Sequence, residues 1–151
     1  MPAALPAELP EGFAPLPIGG EFIRVNGPLY LKHAGDEVLV GFRVEPRHCN
    51  PLKICHGGML ASFADMLLPV TVHRKSTEVG FRFLPTISLQ VDYLAPAPLG
   101  AWVQGEAQVL RATRNMVFAQ GLATADGVPC LRVSGVFKIG PAAPPTPEVI
   151  G

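Results

Sequence analysis

The stretch "HGGMLASFADMLLPVTVHRKS", His56–Ser76, decides the fold. Its apolar residues recur at helical spacing. Met59, Phe63, Met66, Leu67 and Val70 fall on one side, while Gly58, Ala61, Ser62 and Asp65 fall on another at offsets of three and four. The stretch therefore predicts one long apolar helix that carries a stripe of small residues and a single carboxylate.

Outward from this helix the pattern changes to that of strands. Downstream lie "TISLQVDYLAP", "AWVQGEAQVLRAT", "NMVFAQGLATAD" and "PCLRVSGVFKIG", evenly spaced and separated by turn signals. Asp126-Gly127 marks the tip of a tight hairpin between the last two. In these runs Ile87, Leu89, Val91 and Tyr93 share a face, as do Met116, Phe118 and Leu122, and Leu131, Val133, Phe137 and Ile139. Small residues recur on another face: Val103, Gly105 and Ala107, then Val117, Ala119, Gly121 and Ala123. That face suits close packing of one sheet on another. Upstream, "EFIRVNGPLYLKH" and "DEVLVGFRVEP" read as two further strands, with a turn at Gly35-Asp36. One helix beside about six strands predicts an α+β fold in which an antiparallel sheet of five to six strands curls around one long central helix. Residues 1–20 are expected to form a Pro-rich arm, 21–139 the domain, and 140–151 a disordered tail.

Composition narrows the function. The 151 residues are 48% hydrophobic and only 16% charged, against a usual charged share of about 25%. No apolar run approaches the roughly 18 residues of a membrane span. The apolar excess points instead to a subunit interface, and so to a homo-oligomer. Net charge is zero and no basic run is present, which argues against a nucleic-acid partner. Three cysteines give no disulfide framework, and the N-terminal residues lack a basic segment before an apolar one. A reducing, cytoplasmic setting is the expectation. Cys49, Cys55 and His56 show neither triad nor metal spacing, so no metal and no cysteine nucleophile is expected.

Two features of the long helix suggest chemistry. Gly57 and Gly58 stand at its start, where helices disfavour glycine by about 1 kcal/mol against alanine in their interior and where backbone N–H groups point outward. No Ser, Thr, Asp or Asn directly precedes His56 to cap them, so the start is expected to be an open oxyanion or anion site. Asp65 has no cation one turn away, and the stripe Gly58-Ala61-Ser62-Asp65 leaves a groove leading to it. Eight residues separate Gly57 from Asp65, about 12 Å along the axis at 1.5 Å per residue. A single reacting carbonyl cannot touch both on one helix. If both act, the acid comes from a second copy of the chain.

The combination "HCN" (48–50), "HGGMLASFADM" (56–66) and "TISLQVDYLAP" (86–96) resembles the hotdog-fold acyl-CoA thioesterases of the phenylacetate-pathway (PaaI-like) group. The similarity runs from about residue 13 to 139 and includes "GPLYL", "VEPRHCN" and the Asp-Gly hairpin. Carried over by position, the resemblance implies that the Gly57 N–H polarises the thioester carbonyl and that Asn50 and His56 orient that end. It implies that Asp65 of the partner subunit activates water or attacks the carbonyl, and that Thr86 holds the water. It further implies a dimer joined edge to edge, commonly paired into a dimer of dimers. Acyl-CoA is then the partner, with coenzyme A as part of the substrate and no other cofactor. Gly58 and Ser62 are expected along the substrate groove, and Arg82, Arg111, Thr113 and Arg114 are candidates for the phosphate end of coenzyme A. The acyl group expected is medium-chain or aryl.

Two alternatives stand beside this reading. One is a non-catalytic acyl-CoA-binding hotdog module. The other is a hotdog-fold hydratase or dehydratase, in which His56 and Asp65 would converge on the α and β carbons. Pro69 departs from the family pattern, which more often has Ala or Gly there. It removes the N–H that would bond the Asp65 carbonyl, and it should kink or end the helix.

Overall fold

The computed structural model describes residues 8–142. The first seven residues of the expected arm and residues 143–151 of the expected tail lie outside the described residues. Seven strands and two α-helices follow in the order β1 (Ala14–Pro15), α1 (Gly20–Asn26), β2 (Tyr30–Ala34), β3 (Glu37–Arg43), α2 (Gly57–Lys75), β4 (Thr86–Tyr93), β5 (Trp102–Ala112), β6 (Met116–Ala125) and β7 (Val128–Lys138). All strand pairings are antiparallel, in the spatial order β1-β2-β3-β5-β6-β7-β4. The expected α+β hotdog is the fold found. Its sheet has one strand more than the six runs read from sequence, because Ala14–Pro15 pairs with Tyr30 and Leu31.

The sheet wraps α2. Phe42 of β3, Phe63, Leu67 and Leu68 of α2, and Phe137 of β7 are fully buried between them, with the Phe42 and Phe63 rings 5.2 Å apart. Glycines allow the close approach. A Cβ on Gly105 would stand 2.6 Å from Leu67 Cδ2, and one on Gly135 would stand 2.8 Å from Leu68 Cδ1. The small-residue face of β5 and β6 therefore packs on the helix, not on a second sheet as the sequence suggested. Val103, Ala107, Val117, Ala119 and Ala123 are buried there. The bulky residues Met116 and Leu122, read as a shared face of β6, lie on the outer surface and are 37% and 43% exposed. An apolar helix needs room more than it needs large partners, so the small residues take the inner positions.

α2 is buried almost all round from Met66 to His73, while Gly58, Ala61, Ser62 and Asp65 stay partly or fully exposed. The helix continues through Pro69 to Lys75 and does not end at the proline. Pro69 itself is buried, and Thr71 Oγ1 donates to the Leu67 carbonyl (2.8 Å) in the same turn. No helix among the described residues is long and apolar enough to cross a membrane.

One upstream expectation is corrected. "EFIRVN" is not strand but most of α1, and the strand begins only at Tyr30. α1 survives at seven residues because its last carbonyls are bound from outside. Arg47 donates to the Val25 and Gly27 carbonyls, and His48 Nε2–H donates to the Asn26 carbonyl at 2.6 Å. The Glu45 N–H donates to His48 Nδ1 at 3.0 Å, which fixes this tautomer. Burial pushes the His48 pKa below its ordinary value, so the ring stays neutral in this role. Ile23 is the buried residue of α1, and Phe22 on the same helix is 60% exposed.

Candidate active site

The loop before α2 sets the geometry at the helix start. Residues 48 to 56 form a narrow hairpin, closed by Asn50 N–H to the Ile54 carbonyl (2.9 Å) and His56 N–H to the His48 carbonyl (2.7 Å). Asn50 Oδ1 accepts from the Leu52 and Ile54 N–H groups at 2.9 and 3.4 Å, so its side chain shapes the turn from within.

The helix start is capped, contrary to the sequence expectation. His56 is the N-cap residue, and its Nδ1 accepts from the Gly58 N–H at 2.8 Å. The Met59 and Leu60 N–H groups both reach the His56 carbonyl, at 2.9 and 3.1 Å. Of the first-turn amides only the Gly57 N–H has no acceptor among the described residues. Gly58, named with Gly57 from sequence, thus has its donor already spent on His56. Histidine is an unusual cap, since caps are mostly Ser, Thr, Asp or Asn, and the sequence therefore gave no sign of it.

A residue that sequence reasoning missed completes this turn. The Tyr93 hydroxyl, at the end of β4, donates to the Gly57 carbonyl at 2.8 Å. The Gly57–Gly58 peptide is therefore held at both ends, its carbonyl by Tyr93 and its N–H by His56. A Cβ on residue 57 would lie 3.2 Å from the phenol oxygen, which accounts for glycine there. From sequence Tyr93 read only as one of four apolar residues on a strand face. Nothing local links it to a glycine 36 positions earlier.

The other half of the site lies two turns along α2. Thr86 Oγ1, opening β4, donates to Asp65 Oδ1 at 2.6 Å. Asp65 is half-buried and Thr86 exposed. This bond uses one carboxylate oxygen and leaves Oδ2 and the threonine lone pairs available. β4 runs along the helix so that Thr86 meets Asp65 at one end and Tyr93 meets Gly57 at the other. Two separate candidate half-sites result on one chain.

Ser62 donates its hydroxyl to the Gly58 carbonyl (2.9 Å) and lines a hollow of about 250 Å³ with Phe22, Asn26, Arg47, His48, His56, Gly58 and Met59. Asn50, Gly57, Asp65 and Thr86 do not line it. A larger hollow of about 680 Å³ lies on the outer face of the sheet, where Gln108, Gln120, Ser134 and Gln90 stand in register across four strands; it contains none of the candidate residues. Arg111, Thr113 and Arg114 sit at the β5–β6 turn. Register runs from Thr86 to Phe137, Val117 and Ala112, so this turn is at the Thr86 end of the sheet, three strands or about 14 Å away. The Thr113 hydroxyl is engaged with the Met116 backbone, whereas Arg111 and Arg114 make no side-chain hydrogen bond or ion pair among the described residues. Arg82 Nε donates to the Gly140 carbonyl (2.7 Å), and the Arg82 carbonyl accepts from His73 Nε2 (2.7 Å), which ties the segment before β4 to the helix and to the end of the domain.

Burial pushes the Cys55 thiol up to about 12, with Cys49 and Cys130 adding to the effect, so it carries no thiolate at neutral pH. Among the described residues no three His, Cys, Asp or Glu side chains gather as a metal site.

A long helix wrapped by an antiparallel sheet, with a donor glycine at its start and a carboxylate two turns on, defines a hotdog-fold enzyme class. The profile of the thioesterase superfamily matches residues 52–129, just over half of the chain, and the chain belongs to that family as a thioester hydrolase. It is 30% identical to human acyl-coenzyme A thioesterase 13 over 98 residues, 64% of this chain and 68% of that protein. It is 27% identical over 134 residues to a Pseudomonas aeruginosa protein that carries an esterase name, covering 87% of this chain and 97% of the other. Among solved structures its fold is similar to that of a mutant of the phenylacetic acid degradation protein PaaI from Thermus thermophilus, with a TM-score of 0.63, 24% identity, and coverage of 78% of this chain and 96% of that one.

Proposed function

We propose that the protein hydrolyses the thioester of a medium-chain or aryl acyl-CoA, in an active site completed by a second copy of the chain. The observation that carries this reading is the division of chemistry along α2: a free Gly57 N–H at one end and the Asp65–Thr86 pair at the other. A twofold pairing brings the two together. β4 is the last strand of the sheet, with one edge unpaired among the described residues, and Ile87 and Tyr93 on it, with Leu94 just after it, are about half exposed. Two β4 strands pairing antiparallel set Thr86 of the partner subunit beside Tyr93, and so Asp65 of the partner subunit beside Gly57.

The hydrogen bonds support the following roles. The Gly57 N–H donates to the thioester oxygen as negative charge develops there. Asp65 of the partner subunit acts as general base. Its Oδ2 takes a proton from a water that the threonine oxygen also holds. The water oxygen bonds to the carbonyl carbon, the C–S bond breaks, and the coenzyme A thiolate leaves and is protonated. Free acid and free thiol are the products. No metal or further cofactor is needed, because a thioester is already activated. His56 serves as cap, with its Nδ1 committed to Gly58. That favours the hydrolase over the hydratase reading, which needs this ring as a base converging with the acid. Arg111 and Arg114 are the free cations we assign to the phosphate end. Phe22 and Met59 supply the apolar walls of the hollow beside His56.

Thiol release measured across short, medium, long and aryl acyl-CoAs tests the reading. The highest kcat/KM is expected for medium-chain or aryl substrates. Tight binding of acyl-CoA with no thiol released would show a binding module instead.

Tyr93 gives a finer test. Tyr93→Phe keeps the ring against Gly57 and removes only the hydroxyl. It should lower kcat by about 2- to 10-fold, the net worth of one hydrogen bond, with KM unchanged. An unchanged kcat would mean that the phenol plays no part in orienting the Gly57 turn.

A further inference from the structure

The hairpin that leads into α2 places two cysteines opposite each other. Cys49 and Cys55 form an isolated antiparallel bridge. The bonds on either side are Asn50 N–H to the Ile54 carbonyl and His56 N–H to the His48 carbonyl. These bonds flank the pair and do not join it, so Cys49 and Cys55 occupy a non-hydrogen-bonded position. Such pairs hold their Cα atoms about 4.5 Å apart with side chains on the same face. Disulfides span Cα separations of about 4.4–6.8 Å. The backbone therefore already meets the demand that most pairs of cysteines fail.

We propose that Cys49 and Cys55 are a covalent modification site, closing to an intramolecular disulfide when the protein meets a small-molecule disulfide. The two thiols differ in access. Cys49 is half-buried and donates weakly to the Glu45 carbonyl (3.5 Å), while Cys55 is buried and donates to the His56 carbonyl (3.7 Å). Cys49 is thus the attacking thiol. Its thiolate bonds to one sulfur of the small disulfide and expels the other as a thiol. Cys55 then gives up its proton and attacks the Cys49 sulfur, the protein disulfide forms, and the second small thiolate leaves and takes up a proton. Two protein thiols and one small disulfide become one protein disulfide and two small thiols, so hydrogen and electrons balance. Burial raises the Cys55 pKa, which keeps it out of the first step and makes the second, carried by its position opposite Cys49, the slower of the two. The new bond would close the neck of the turn shaped by Asn50, one residue before His56, and would remove the thiol donor from the carbonyl on which α2 starts.

The reduced full-length protein is treated with oxidised glutathione, and the products are read by intact mass and peptide mapping without reduction. Each chain is expected to lose two hydrogen atoms, with the bond mapped to Cys49 and Cys55, and dithiothreitol should restore the starting mass. Cys130→Ser should oxidise as the natural chain does, while Cys49→Ser should not close. A stable glutathione adduct on Cys49, a bond from Cys55 to Cys130, a bond between chains, or no change of mass would each overturn the proposal.

Discussion

Asp65→Asn is expected to lower kcat for acyl-CoA hydrolysis by about 10²- to 10⁴-fold, the usual contribution of a positioned general base. The substitution is nearly isosteric. Asn Oδ1 can still accept the Thr86 hydroxyl, which lies 2.6 Å from Asp65 Oδ1 in the natural chain, so the packing of β4 on α2 should persist. What is lost is the basic oxygen on the side away from Thr86. The melting temperature and the oligomeric state should match the natural chain. KM should move little, because the carboxylate acts on water and not on the acyl-CoA. Full activity in this variant would remove Asp65 from the mechanism.

Gly57→Pro should cost about 10²- to 10³-fold in kcat, as loss of one oxyanion donor does. The fold is suited to this test. Residue 57 is the first helical position, where proline is well tolerated because its missing N–H would have no helical partner. His56 has φ −60° and ψ 137°, the extended conformation that the residue before proline prefers. The variant therefore deletes the one first-turn amide of α2 that is unbonded among the described residues, while keeping the helix. Gly57→Ala is the control, since it retains the N–H but adds a Cβ at 3.2 Å from the Tyr93 hydroxyl. Its loss should stay below about tenfold, within the cost of modest crowding. Equal losses in the two variants would assign the effect to crowding and not to the amide.

What could be read from sequence was set by local spacing. The helix at 57–75 and the four downstream strands follow from their 3.6- and 2-residue periods and from the Asp126-Gly127 turn. The two halves of the candidate site could be proposed for the same reason, since Gly57 and Asp65 lie on one helix at a countable distance. The failures share a different cause. α1 looked like strand because Phe22, Ile23 and Val25 favour strands, and its helical form depends on Arg47 and His48, distant in sequence. The small-residue face of β5 and β6 was read as packing on a second sheet, whereas Gly105, Ala107 and Ala119 on it lie against the helix. His56 as cap and Tyr93 as the anchor of Gly57 are tertiary facts, and no local pattern announces them.

The central claim is that each active site draws Gly57 from one chain and Asp65 from another. Mixing Asp65→Asn and Gly57→Pro proteins, with the subunits dissociated and reassembled together, tests it directly. A mixed dimer would contain one site with both groups intact and one with neither. Random reassembly of equal amounts should restore about one quarter of the natural rate, because half the dimers are mixed and each has one working site of two. A mixture whose activity stays at the mean of its two inactive parents, with mixed dimers shown to be present, would contradict the shared site.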